Sequence, residues 1–389
     1  MNSLEKNNIP AGYKDSAVGI IPQEWKVDRL GEICLTFKSG TTITSQSIKK
    51  SGLYPVYGGN GLRGYTDSYT HNGDYILIGR QGALCGNINF IRGKAYISEH
   101  AIAVQPNESN SIEFLLYKLD FWNLNRFSES SAQPGLSVEK LVRYKLAVPP
   151  MEEQRKIAEI LGVWDEAIEK QSRLIEKLEL RKRALMQRLL TGRTRLPGFT
   201  TPWQKVKLGE IFKERNETKC EHLPLLSITA ERGVILQSES DKKDTSNDDK
   251  SKYKRICPND IGYNTMRMWQ GRSALSAMEG IVSPAYTIVT PKVGIDPLFI
   301  SELIKQPRVV YDFWTHSQGL VGDTLNCKFH DFSQVKVAIP SHPEQKAIAE
   351  VLTATDNEID IHRKKLDALR LQKRGLMQQL LTGKTRVKI

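Results

Sequence analysis

Cysteine is scarce in this chain, and the few present lie apart: Cys34, Cys85, Cys220, Cys257 and Cys327 form no C-x-x-C pair. An odd, scattered set excludes a disulfide framework, a zinc ribbon and a dithiol redox couple, and reads as ordinary reduced thiols. Long apolar runs are missing too. No stretch of about 18 apolar residues occurs, and the opening MNSLEKNNIPAGYKDS lacks the apolar core of a signal peptide, so the expectation is a cytoplasmic protein with no membrane partner.

Catalytic signatures are equally thin. Gly59, Gly61 and Gly64 satisfy G-x-G-x-x-G, yet a turn-like TDSYTHNGD follows where a dinucleotide site needs a helix. Gly383-Lys384-Thr385 resembles the end of a phosphate loop, but Gln378 stands where the first glycine belongs. Cys220 with His222 is half a metal site at best. No nucleophile elbow or carboxylate pair is evident, so the chain is expected to be no enzyme and to hold no metal or cofactor of its own. A stand-alone nuclease would have to draw its metal-binding acids from Asp241, Asp244, Asp248 and Asp249, in a stretch that reads as a solvated loop.

What is present is positive charge and repetition. The net charge is +12 and the pI about 9.3, a field that favours an anionic partner such as nucleic acid. With 389 residues, 39% of them hydrophobic, the chain can bury the cores of two ordinary domains. A segment of 47 residues occurs twice without gaps: 149–195 (PPMEEQRKIAEIL…KRALMQRLLTGRTR) and 340–386 (PSHPEQKAIAEVL…KRGLMQQLLTGKTR), with 22 positions identical. Trp25, Leu30, Gly31, Glu32 and Ile33 also recur as Trp203, Leu208, Gly209, Glu210 and Ile211. The second intervening segment is longer by about 13 residues, which the polar run QSESDKKDTSNDDKSKYKR is expected to hold.

Periodicity then divides the chain. Residues 1–20 read as a loosely ordered tail. In 21–148, short runs such as YPVYGG, DYILIGR, INFI and AIAVQP alternate with turn residues and read as strands, with one helix at SIEFLLYKLDFWNL. The segment 196–339 has the same texture: LLSITA, DIGYNT and IVSPAYTIV read as strands and PLFISELIKQ as a helix. Prolines before each repeat and Thr-Gly at Gly192 and Gly383 after it mark two long helices, 149–195 and 340–389 including a basic tail. The fold class is therefore α+β, two mixed α/β globular segments alternating with two helices in an internal pseudo-twofold repeat.

Each helix carries a heptad seam. In the first it runs Ile157, Leu161, Trp164, Ile168, Gln171, Ile175, Leu178, Lys182, Leu185, Leu189; in the second Ile348, Leu352, Thr355, Ile359, His362, Leu366, Leu369, Lys373, Leu376, Leu380. The expectation is an antiparallel coiled coil in which Gln171 faces His362, Trp164 lies near Leu369, and Ile175 near Ile359. Lys182 and Lys373 would lie near Leu352 and Leu161 and turn their ammonium groups outward. A helix of about 39 residues is about 58 Å long, enough to hold two domains over sites one DNA turn, about 34 Å, apart.

Polar, basic and aromatic residues in the turn-rich segments are the candidates for base edges and phosphates. In the first these are Lys38, Ser39, Gly40, Thr41, Tyr57, Asn60, Arg63, Tyr65, Arg80, Gln81 and Lys94; in the second Asn264, Arg267, Trp269, Gln270, Arg272 and Ser283. Arg and Gln reach guanine and adenine with two hydrogen bonds, and glycine neighbours let backbone approach phosphate.

These features together resemble the specificity subunits of type I restriction-modification systems. The resemblance rests on the duplicated EQ-x-x-IAE-x-L…LMQ-x-LLTG-x-TR helix, the paired W-x-x-x-x-LGE starts, YPVYGGNG, IGRQGALCGN, and MRMWQG followed by GIVSPAY. It implies two target recognition domains, each reading half of an asymmetric bipartite site in double-stranded DNA, and paired helices that set the spacing and dock two modification subunits. Those partners would use S-adenosylmethionine to methylate adenine, and a restriction (translocase) subunit would use ATP and Mg2+. Two other readings remain: a specificity subunit served by a fused methyltransferase-nuclease, or a coiled-coil adaptor that binds only protein.

Overall fold

In the computed structural model, which describes residues 9–82, 84–128, 135–229, 232–240, 248–319 and 325–389, two long helices run Met151–Leu189 and His342–Leu381. Both start at the proline-marked positions. Both end before a glycine with positive φ, Gly192 at 68° and Gly383 at 73°, the left-handed turn that closes a helix C-terminus. None of the helices among the described residues is long and apolar enough to cross a membrane.

The chain forms two compact units, Met1–Ser172 with Lys364–Ile389, and Arg173–Arg363. Each unit thus combines a globular segment with part of both helices. In the first unit the four-stranded antiparallel sheet has the order 34–39, 101–106, 75–79, 88–91. Alternation along its strands divides the core in two. Ile76, Ile78, Ile102 and Val104 pack on Leu115 and Leu119 of the Ile112–Phe121 helix, while Leu77, Ala101 and Ala103 pack with Ala95 and Ile97 of a second sheet. That second sheet has the order 61–66, 54–58, 94–97, 71–72.

The second unit repeats the first of these sheets as 212–215, 286–291, 261–264, 273–275, all antiparallel. Ile261, Tyr263 and Val289 face the main core; Ile288 faces a smaller cluster with Leu226, Ile256 and Val282. Phe332 sits in an aromatic stack with Tyr263 at 5.0 Å and Phe313 at 5.3 Å. Burying three such rings in one stack contributes well beyond their area, by about 1 kcal/mol per pair.

The helix seams serve two kinds of contact. Ile157, Leu161 and Leu380 pack with Trp25 and Phe114 in the first unit, and Leu189, Ile348 and Leu352 enter the main core of the second. So the ends of each seam pack on a globular segment and on the facing helix together, Ile157 and Leu161 sharing one cluster with Leu380 and Leu189 sharing another with Ile348 and Leu352. Gln171, Ile175, Leu178, Ile359 and Leu366 are buried, whereas Trp164, Ile168, Leu185, His362, Leu369 and Leu376 are half-buried. Within each unit the two helices run antiparallel. Lys373 donates to Asp165 at 2.5 Å in the first unit, and Lys182 donates to Asp356 at 2.5 Å in the second. The two lysines therefore reach an aspartate on the facing helix, instead of turning outward alone. The bonds are copies of one another, each residue 191 positions from its counterpart.

Three sequence expectations need correction. The tail is anchored from Tyr13 onward: Tyr13–Lys14 pairs with Ile21–Pro22, and the Tyr13 hydroxyl donates to the Gly383 carbonyl at 3.0 Å. The expected polar loop ends in a strand, Lys254–Ile256, paired with Gly280–Val282; Asp241 and Asp244 lie outside the described residues. Nor does that loop hold all the extra length. The offset between equivalent residues is 178 at Trp25 and Trp203, 185 at the helix caps Ser111 and Asp296, and 191 at Gln154 and Gln345. About half of the insertion therefore follows the Pro297–Leu303 helix, where a further helix, Pro307–His316, stands in place of the short turn at Leu124–Phe127.

Candidate nucleic-acid interface

In the first unit the candidates from separate motifs converge on the backbone of 97–101. Thr41 N–H donates to the Ile97 carbonyl at 2.9 Å, Gly40 N–H to Ala101 at 2.9 Å and Arg80 N–H to His100 at 2.9 Å; Ser98 N–H donates to Tyr57 at 2.8 Å. Glycine makes this convergence possible. A Cβ at Gly40 would lie 2.3 Å from the Ile97 oxygen, and one at Gly59 would lie 2.6 Å from the His100 oxygen. Ser98, Glu99 and His100 were not singled out from the sequence. Glu99 and His100 contact each other at 3.1 Å, and Glu99 accepts from Ile43 N–H at 3.3 Å. An S-E-H triplet carries no motif, and only the strand pairing reveals its place.

The remaining candidates distribute around this hub. Lys38 and Ser39 end the 34–39 strand, opposite Ala103 and Ile102. Arg63 and Tyr65 lie on 61–66, and the Arg63 stem packs on Gly58. Asn60 is exposed in the turn and Gln81 in the loop that bridges to Gly135. Lys94 stands apart, its ammonium 4.9 Å from the Tyr69 ring.

The loop 80–87, described at every position except Ala83, has a structural twin. In the second unit 265–272 follows the equivalent strand at an offset of 185, and Thr265 N–H donates to Ala285 at 3.2 Å as Arg80 does to His100. Gly86 (φ 84°) and Gly271 (φ 73°) both close the loop in the left-handed region. Even their neighbours correspond: a Cβ at Gly86 would meet Asn125, and one at Gly271 would meet Val310. Ser283 is the counterpart of Ser98.

The side chains on the two loops differ. Asn264 accepts from Met266 N–H at 3.0 Å, Trp269 Nε1 donates to the Met266 carbonyl at 3.0 Å, and Gln270 and Arg272 are exposed. Arg267 is half-buried at the head of the Met268–Gln270 turn. Tyr286 adjoins Asn264 and Arg272: burial pushes its phenol above the ordinary value, while a bond to Asn264 and the Arg272 charge pull it back.

In each unit the start of the repeated helix is fastened in the same way. Gln154 donates to the Pro149 carbonyl at 2.9 Å and accepts from Ser111 N–H at 2.8 Å; Gln345 donates to Pro340 at 3.0 Å and accepts from Asp296 N–H at 2.9 Å. Among the described residues no group of three His, Cys, Asp or Glu side chains could hold a metal ion. Asp249 instead caps the Ser251 N–H at 2.9 Å.

A family model described as the type I restriction modification DNA specificity domain matches residues 22–180 and 300–371. The specificity subunit of the type I restriction enzyme EcoprrI from Escherichia coli is 43% identical over 159 residues, covering 39% of this chain and 39% of that protein. The putative type I restriction enzyme MjaX specificity subunit from Methanocaldococcus jannaschii is 26% identical over 435 residues, covering 97% of both. In fold, the chain is similar to the type I restriction-modification S subunit from M. genitalium, with a TM-score of 0.59 at 16% identity, covering 97% of this chain and 98% of that one.

Proposed function

The chain belongs to the family of type I restriction modification DNA specificity proteins, and from this we propose that it reads both halves of a bipartite site in double-stranded DNA for a complex whose chemistry lies in other subunits. The single observation that carries the reading is the pair of loops, 80–87 and 265–272. Both are held by one backbone scheme and closed by a left-handed glycine, yet they present different side chains. One scaffold used twice with different tips fits two unlike half-sites.

In this reading Arg80, Gln81, Asn60, Thr41 and Lys38 contact one half-site, and Asn264, Arg267, Trp269, Gln270, Arg272 and Ser283 contact the other. Arginine and amide side chains read purine edges, lysines hold phosphates. The two repeated helices act as the spacer and dock two modification subunits. Those subunits bind S-adenosylmethionine and methylate adenine, and a restriction subunit supplies ATP- and Mg2+-dependent cleavage.

The test is adenine methylation mapped across a genome carrying this chain with its adjacent modification subunit. A split motif of two short, different half-sites supports the reading. No new methylation, with the same modification subunit active on another specificity chain, overturns it.

A further inference from the structure

Lys118 lies in the Ile112–Phe121 helix with only 5% of its surface exposed. Its ammonium donates to the Leu381 carbonyl at 2.6 Å, and among the described residues it has no carboxylate partner. A helix-end carbonyl supplies only part of a negative charge, whereas a buried ammonium ordinarily demands a full counter-charge. Burial alone pushes this amine down to about 8, with no opposing charge to hold it up.

The fold itself does not need a lysine here. In the second unit the equivalent position is Leu303, buried below the equivalent turn at Leu190, and the same core forms with a hydrocarbon side chain. The cation is therefore an addition specific to the first unit. It borders a cavity of ≈ 610 Å³ whose lining also includes Arg126, Lys145 and Lys384 and includes no Asp or Glu. Phe127 and Tyr144, with ring centroids 4.3 Å apart, form an apolar wall, and the Arg126 guanidinium lies 4.6 Å from the Phe127 ring. Cavities of roughly 300–1,000 Å³ with an apolar wall and a few convergent polar groups are the size and kind that take small ligands.

We propose that this cavity of the first unit binds a small phosphate-bearing ligand, its oxyanion seated on Lys118 and flanked by Arg126, Lys145 and Lys384. With only 5% of Lys118 exposed, a phosphate must enter the cavity to reach its ammonium, which suits a free oxyanion or a nucleotide, whose base the Phe127–Tyr144 wall would cover. None of the residues proposed to contact DNA lines this cavity, and its occupancy does not depend on the DNA-reading role.

The experiment is isothermal titration of the full chain with inorganic phosphate and with adenosine monophosphate, each against chloride at matched ionic strength. Saturable binding is expected, and Lys118→Met should raise the Kd at least about tenfold, the loss of one charge-assisted hydrogen bond. Arg126→Gln, at an exposed position that the core does not depend on, should raise it by a smaller factor. Tighter binding of the nucleotide assigns the aromatic wall to a base; equal binding assigns the site to the oxyanion alone. No saturable binding of either, or unchanged affinity in a Lys118→Met chain with intact thermal unfolding, overturns the proposal.

Discussion

Arg386 grips Glu153 with two nitrogens, Nε at 2.7 Å and Nη2 at 3.0 Å, across 233 residues of chain, and Glu153 is wholly buried. The same carboxylate accepts from Trp25 Nε1 at 2.9 Å. Its counterpart joins Arg195 to Glu344, at 2.5 and 2.6 Å. The Arg that ends one repeat thus pairs with the Glu that begins the other, once in each unit. This reciprocal exchange gives the E-Q and T-R motifs a physical purpose.

Removing Arg386 should accordingly be costly. Arg386→Met leaves a buried carboxylate without its cation, at a cost of about 3 kcal/mol or more. Adding Glu153→Gln should recover part of that loss, because the amide can still accept from Trp25 and carries no charge. Urea unfolding of both variants decides the matter: a double variant as unstable as the single one, or worse, would falsify the claim that charge burial is the cause.

The sequence showed the repeated residues but not this exchange. Periodicity and capping made both helices, their ends and the strand texture legible, because those signals are local. Whether Arg195 meets Glu153 or Glu344 depends on how the chain closes, which no local pattern records. The same limit hid Ser98–His100, which matters only through three strands it joins. The Pro307–His316 helix was missed for a different reason. Val309 and Phe313, four apart, form its buried face, but Val309, Val310, Tyr311, Phe313 and Trp314 are residue types enriched in strands, so ten residues gave no clear helical signal.

The two loop glycines should differ in tolerance. Both have positive φ, so alanine is strained at either, by about 1 kcal/mol. At Gly86 the new Cβ would also lie 2.4 Å from the Asn125 backbone nitrogen, whereas at Gly271 it meets only the Val310 methyl at 2.9 Å. Gly86→Ala should therefore destabilise by about 1–2 kcal/mol more than Gly271→Ala, since a side chain can rotate and a backbone cannot. Equal losses in thermal unfolding would show that the Asn125 contact is not limiting.

Lys118 sets a pH dependence with a definite sign. Above 10.5, the ordinary lysine value, its amine is neutral in both folded and unfolded chains. Between about 8 and 10.5 the unfolded chain holds a proton that the folded chain does not, so stability falls as pH is lowered through this window. Below about 8 the folded chain carries the buried charge at full cost, roughly 3 kcal/mol. Lys118→Met should flatten this part of the profile and raise stability at pH 7. Denaturation midpoints at pH 7 and pH 10, in buffer without phosphate, give the slope; an unchanged slope in the variant would assign it to another group.

Arg80→Ala and Arg272→Ala should act on different halves of the target. If each arginine reads a base, its loss weakens binding by about 1–3 kcal/mol and relaxes only one half-site. Replacing Lys38, proposed above to hold a phosphate, should instead weaken all sequences alike and lower the salt dependence. Binding of the assembled complex to duplexes altered in one half at a time separates the two cases. An Arg80 variant that relaxes both halves would contradict the division of labour between the loops.

The spacer reading makes the most demanding prediction. Duplicating Gln171–Lys177 in the first helix and His362–Ala368 in the second adds one heptad to each, about 10.5 Å of helix. The heptad keeps every seam residue on its own face, so the pairs Lys182–Asp356 and Lys373–Asp165 should both survive. Methylation mapping should then return the same two half-sites with about three more base pairs between them, given about 34 Å per turn of 10 base pairs. Adding the heptad to one helix alone leaves the pair unequal and should abolish methylation. If instead the half-sites themselves changed, or the spacing stayed fixed with both helices lengthened, the distance between them would be set elsewhere than in the repeated helices.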